Sequence, residues 1–161
     1  GETIAGGGTP SQHLRVLKPQ GSFEAVDSGG TLFIHPRTFS RYDSIGDAVG
    51  SVNTAGAAKV YTMLKPRIED AWREIGRGAS FDAALQRAIT ILVTAPSPQG
   101  DISLVESGGI YQFNDPRLER LSHAQKQLLR MGPRNVRIVQ RKLRDIGIAL
   151  GIPPEDLAAP R

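Results

Sequence analysis

The sequence predicts an α+β domain, mainly α, with about five helices and two small antiparallel β-hairpins. Three observations carry that expectation. Apolar residues recur at helical spacing through much of the stretch from Ser44 to Leu150. Two Gly-Gly pairs separate short runs of β-branched and aromatic residues. Proline and glycine then punctuate the chain where elements have to stop.

Residues 1–13, which include Gly6-Gly7-Gly8-Thr9-Pro10-Ser11, have the small, flexible composition of a linker, leaving 14–161 as a single globular domain. The triple glycine lacks both a preceding strand and a following Gly-Lys-Ser/Thr, so it does not read as a phosphate loop. Leu14 to Lys18, Phe23 to Val26 and Thr31 to His35 read as short strands, with Asp27-Ser28-Gly29-Gly30 as the hairpin turn and Pro36 as the stop. A second hairpin is expected from Ile102 to Val105 and Ile110 to Phe113, joined through Ser107-Gly108-Gly109.

The helices lie between and after these hairpins. Ser44-Ile45-Gly46-Asp47 has capping-box spacing, and Ile45, Ala48, Val49 and Val52 follow at i, i+3, i+4, i+7. From Thr54 to Ile75 the stripe Ala57, Tyr61, Leu64, Ile68, Ala71, Trp72, Ile75 predicts a long helix, with a kink or break near Met63 imposed by Pro66. Ser80 caps the next helix, whose stripe is Phe81, Ala84, Leu85, Ala88, Ile89 and Leu92, and Pro96-Ser97-Pro98 ends it. Asp115 before Pro116 starts a short helical turn, and Ser122-His123-Ala124-Gln125 forms a second capping box. Gly132 closes that helix in the left-handed conformation and Pro133 opens the last one. There Val136, Val139, Leu143, Ile146 and Leu150 mark the buried face, until Gly151-Ile152-Pro153-Pro154 stops it.

Size and composition then limit the chemistry. A chain of 161 residues buries enough surface for one core without staples. With 0 Cys there is no disulfide, thiolate nucleophile or Cys-ligated metal. The excess of 20 Lys and Arg over 16 Asp and Glu, +4, tilts mildly toward anionic partners and also suits simple solubility. The longest apolar run, Ile89 to Ala95, falls well short of the roughly 20 residues that span a bilayer. The chain opens Gly1-Glu2-Thr3 without Met or signal-like segment, so a native anchor ahead of it is expected to have been left off.

The candidate site residues are mostly arginines. Arg134, Arg137, Arg141 and Arg144 recur opposite the apolar stripe of the last helix, with Arg130 just before the turn and Lys142 on the flank. Such a stripe suits a solvated face, and guanidinium groups there are also equipped to hold phosphate, carboxylate or an acidic protein. Arg41-Tyr42-Asp43 is a compact polar cluster that fits either the start of a helix or the wall of a groove; Arg41 and Tyr42 join the arginines as partner-binding candidates. The hairpin from Ser122 to Leu150 has the topology of a helix-turn-helix DNA reader, but the net charge is low for one, so nucleic acid is not the expected partner. His13, His35 and His123 share no metal-binding spacing, and no nucleophile signature occurs, so no metal, cofactor or catalytic residue is expected. Asp43 with Asp47, and Asp115 with Glu119, are read as capping carboxylates, and Tyr61 and Trp72 as core aromatics.

Arg41-Tyr42-Asp43, Leu64-Lys65-Pro66, Pro96 with Pro98, Tyr111 to Pro116, Leu121-Ser122, Ala124-Gln125-Lys126 and Leu128 to Pro133 together resemble a bacterial family, domain of unknown function 3014. The resemblance runs from about residue 31 to 148 and is most specific from Gln125 to Asn135. It implies a Gram-negative envelope protein with one N-terminal membrane anchor, a Pro- or Gly-rich spacer and a periplasmic globular domain. It assigns no functional residue. The expected function is therefore a non-catalytic interaction module for an anionic envelope component or a protein, with an enzyme grooved near Arg41 to Asp43, or a DNA reader, as alternatives.

Overall fold

The computed structural model describes Pro19, residues 21–98 and residues 100–158. The linker expected at 1–13 and the strand expected at Leu14 to Lys18 lie outside the described residues.

Strands β1 (Ala25–Ser28) and β2 (Thr31–Ile34) form the first hairpin; β3 (Ser103–Ser107) and β4 (Ile110–Phe113) form the second. Each has a two-residue loop, Gly29-Gly30 and Gly108-Gly109, with both glycines at positive φ, as a primed hairpin turn demands. The hairpins do not stand apart: β2 pairs antiparallel with β3, Leu32 opposite Leu104 and Phe33 opposite Ser103, giving one sheet in the order β1-β2-β3-β4.

Among the described residues, five helices of eight residues or more match the expected number: α2 (Asp43–Ser51), α3 (Thr54–Glu74), α4 (Phe81–Val93), α6 (His123–Arg130) and α7 (Gly132–Ala149). Two single-turn helices, α1 (Pro36–Ser40) and α5 (Pro116–Glu119), carry the chain out of β2 and β4. Both start on a proline behind a capping side chain: His35 Nδ1 accepts from the Arg37 amide at 3.1 Å, and Asp115 from that of Arg117 at 2.8 Å. Pro36 is thus the first residue of a helix and not merely a strand stop.

Two expectations are corrected here. The capping box at Ser44 does not form, because Arg41 (φ −56°, ψ −25°) and Tyr42 (φ −101°, ψ 0°) are already near-helical and run α1 straight into α2. No extended residue is left to cap. Pro66 does not break α3, which is continuous from Thr54 to Glu74. Both Pro66 and Thr62, whose carbonyl loses its intrahelical donor, are exposed, so water can take the missing bond.

One face of the sheet packs Ile34, Ile102, Leu104 and Phe113 against Leu129 of α6. Helix α7 lies at the centre of the helical layer. Its Val136 and Val139 join Leu128 and Ala95 in one cluster, and Leu143 and Ile146 meet Ile89, Val93, Ile152 and Leu157 in another. Gln140 fixes α4 to this spine, its Nε2 donating to the carbonyls of Leu92, Val93 and Ala95 at 2.9–3.3 Å. Helix α3 buries no residue fully; Tyr61 and Trp72 clasp Phe81 in the α3–α4 seam and are half-buried there, not core residues. Glu69 of α3 accepts from the Phe81 and Asp82 amides at 2.9 and 2.8 Å and so caps α4 from a neighbouring helix.

Candidate functional site

The turn between α6 and α7 and the junction of α1 with α2 are brought together by one side chain. Asn135, 1% exposed, donates through Nδ2 to Asp43 Oδ1 (2.9 Å), the Met131 carbonyl (3.0 Å) and the Phe39 carbonyl (3.3 Å). Its Oδ1 accepts from Arg134 at 3.1 Å, and Arg134 continues to Asp47 at 2.7 Å. Close approach is possible because Gly46 and Gly50 face α7. A methyl group on Gly46 would overlap Asn135 Oδ1, and one on Gly50 would stand 3.0 Å from Ile138. Gly132, at φ +84°, makes the turn beside Phe39, where a methyl group would lie 2.6 Å from the ring's Cβ. Only glycine satisfies both the backbone and the space there.

This clamp sets Arg41 and Tyr42 across from Arg130 at the last turn of α6. Together with Phe23, Tyr111, Ile110 and the sheet floor of Ile34 and Leu104 they line an open groove of about 360 Å³. Each guanidinium lies on an aromatic ring: Arg130 is 5.5 Å from the Phe113 centroid and Arg41 is 5.7 Å from that of Tyr42. Phe23 and Tyr111 stack at 5.2 Å on the rim. Glu119, close enough to feel the charge of Arg130, accepts from the Phe113 amide at 2.9 Å and from Lys126 Nζ at 2.7 Å. The Lys126 hydrogen bond, ahead of the amide, holds the Glu119 carboxyl below its usual range. Two cationic forks with tyrosines alongside can hold a carboxylate or phosphate bidentately.

A second, almost wholly apolar slot of about 440 Å³ adjoins it, with Tyr42 in the wall of both. Ile45, Leu92, Leu128, Met131 and Val139 line the slot.

Comparison with known proteins places the chain at the level of a family. A family model described as protein of unknown function (DUF3014) matches residues 2–147. The chain belongs to this family. The match extends ahead of Thr31, into the segment whose residues alone showed no resemblance. No curated protein and no solved structure matches the chain.

In this DUF3014 chain the expected arginine stripe divides by environment. Arg134 is taken up by Asp47 and Asp43, Arg144 donates from Nε to the Leu157 carbonyl at 3.1 Å, and the flanking Lys142 reaches the Val52 carbonyl at 2.8 Å. These basic groups tie neighbouring elements to α7. Arg137 and Arg141 face solvent, away from the groove residues. Asp43 and Asp47, read from the sequence as caps, instead hold Asn135 and Arg134; with no extended residue ahead of α2, their reach to α7 prevails. Asp43 therefore does not line the groove beside Arg41 and Tyr42, and among the described residues no histidine does either. Helix α7 packs on α2, α3, α4 and α6 through its apolar face, with Arg137 and Arg141 on the opposite, solvent side. Among the described residues no three metal-ligating side chains gather, and no helix is long and apolar enough to cross a membrane.

Sequence reasoning found Arg41, Tyr42 and Arg130 but not that they meet, and it missed Phe23, Tyr111 and Asn135. The signal for Asn135 was present: it lies four residues before Val139, on the buried face of an otherwise apolar stripe.

Proposed function

We propose that the domain is a non-catalytic interaction module that binds an anionic component of the cell envelope in the Arg41–Tyr42–Arg130 groove. On this reading it works at the periplasmic side of the inner membrane, tethered by an N-terminal anchor, as the family resemblance implies. One observation carries the binding part: Arg41 and Arg130, from elements far apart in sequence, converge on one open groove, each guanidinium braced over an aromatic ring. Braced guanidinium groups lose little freedom on binding, which favours planar anionic acceptors over solvent.

The test is co-sedimentation with lipid vesicles, with and without an anionic phospholipid. Binding is expected only to the anionic vesicles. The double variant Arg41→Ala/Arg130→Ala weakens it by about tenfold or more, since a charge-assisted hydrogen bond contributes about 1.5–3 kcal/mol. Arg137→Ala/Arg141→Ala changes it less than threefold on the order set by exposed charges. Equal loss in both double variants would refute the groove as the site, and equal binding to neutral vesicles would refute the anionic partner.

A further inference from the structure

We infer that the site takes one molecule of a single-chain acidic amphiphile, a fatty carboxylate, with its head between Arg41 and Arg130 and its chain in the adjoining apolar slot. The inference rests on the reading that the groove holds an anion, and it adds the chemistry of what is attached to that anion.

Both cavities run along the same two walls. On one, Arg41 and Tyr42 face the groove, while Tyr42 and, within one helical turn, Ile45 face the slot. On the other, Arg130 faces the groove while its neighbour Met131 and Leu128 face the slot. Each wall therefore changes from a guanidinium to apolar side chains, and the change occurs at the shared Tyr42. That is the charge pattern of an acid joined to a hydrocarbon. Among the described residues, Gln127 and Tyr42 are the polar side chains lining the slot, so water gains few partners there and an apolar occupant is favoured. At roughly 30 Å³ for a water-sized group, the volume of about 440 Å³ accommodates one chain of about a dozen methylenes, and not two. A carboxylate head matches the two planar forks.

Isothermal titration of the domain with dodecanoate, octanoate, acetate and dodecanol, all below their aggregation limits, tests this. Dodecanoate is expected to bind one to one. Each methylene removed should weaken binding by about two- to fourfold, following the transfer free energy of a buried methylene. Dodecanol, lacking the charge, should bind about tenfold or more weakly than dodecanoate. Ala124 is exposed on the slot wall, so Ala124→Trp fills the slot from its solvent side without replacing a buried residue. That variant should lose the chain-length dependence and keep binding to anionic vesicles. Chain-length independence in the unaltered protein would overturn the inference whether or not the variant folds, and vesicle binding that still depends on Arg41 and Arg130 would leave the groove reading standing. Dodecanol binding as tightly as dodecanoate would overturn the head assignment and, together with loss of vesicle discrimination, the groove reading as well.

Discussion

Replacing Asn135 by alanine removes the one side chain that joins the α1–α2 junction to the α6–α7 turn. Three acceptors lose its amide: Asp43 at 2.9 Å, the Met131 carbonyl at 3.0 Å and the Phe39 carbonyl at 3.3 Å. Not all of that is lost free energy. The Asp43 side chain is 43% exposed and can turn to water, and the Phe39 carbonyl still accepts from the Tyr42 amide. One buried group left without its partner costs about 1–3 kcal/mol, and the space left by the amide adds to it, so about 2–4 kcal/mol is expected. For a chain of this length that lowers Tm by roughly 5–15 °C. Urea unfolding followed by far-UV circular dichroism measures it, with an unchanged denaturant slope showing that only stability moved. A loss below about 0.5 kcal/mol would refute the clamp, because that is the range of an ordinary surface change. The companion Asn135→Asp sharpens the test. It sets a carboxylate against Asp43 where a donor had been, so it should be worse than alanine at neutral pH and recover on acidification, as one of the two acids takes up a proton. Either variant should also weaken binding to anionic vesicles, since Arg41 and Tyr42 are positioned by the same junction.

Three further outcomes follow from neighbouring contacts. Gly132→Ala should cost about 2–4 kcal/mol in the same assay, combining a strained backbone at φ +84° with overlap on Phe39; retention of full stability would show that the turn can re-form. Tyr61 is pushed up to about 12 by burial, helped by its hydrogen bond to Asp82 and that group's charge. A pKa raised on folding means stability complete below the tyrosine's ordinary 10.0 and lost as pH rises through about 12, so Tyr61→Phe should flatten the alkaline side of a stability–pH curve. Glu119 is the opposite case: its lowered pKa contributes stability above the usual carboxylate range that fades as pH falls through the folded value. Glu119→Gln should therefore reduce stability by about 1 kcal/mol at neutral pH and remove part of the acid-side slope, as pH-dependent urea midpoints would reveal.

Local chemistry was legible in the chain where one residue fixes its own neighbourhood. Ser80 and Ser122 cap the helices they were expected to cap, the latter in a full capping box with Gln125, and the Gly-Gly pairs make both hairpin turns. The apolar face of Val136, Val139, Leu143 and Ile146 points inward as its spacing requires. What escaped were pairings across long stretches of chain. Nothing in Leu32 or Leu104 alone says that they sit opposite one another, so two hairpins were expected where one sheet forms. The same holds for the carboxylates. Asp43 opens α2 and Glu69 lies in the last turns of α3, yet the first serves α7 and the second caps α4. Arg134, Arg137, Arg141 and Arg144 share a helical face by periodicity, and only tertiary neighbours divide them into struts and solvated charges. The groove was half visible for that reason: its cations could be named, but their convergence depends on a clamp between residues about ninety positions apart.

The bare face that Gly46 and Gly50 turn toward α7 has a further effect. The separation of these two helices is set by main-chain thickness instead of by side-chain bulk, and Ile45 of α2, with Tyr42 just ahead of the helix, forms one wall of the apolar slot. Bulk added at either glycine would push that wall outward and widen the bore without changing the chemical character of its lining. Selectivity for the girth of an occupant could thus drift separately from selectivity for its charge, through positions that no occupant would ever touch.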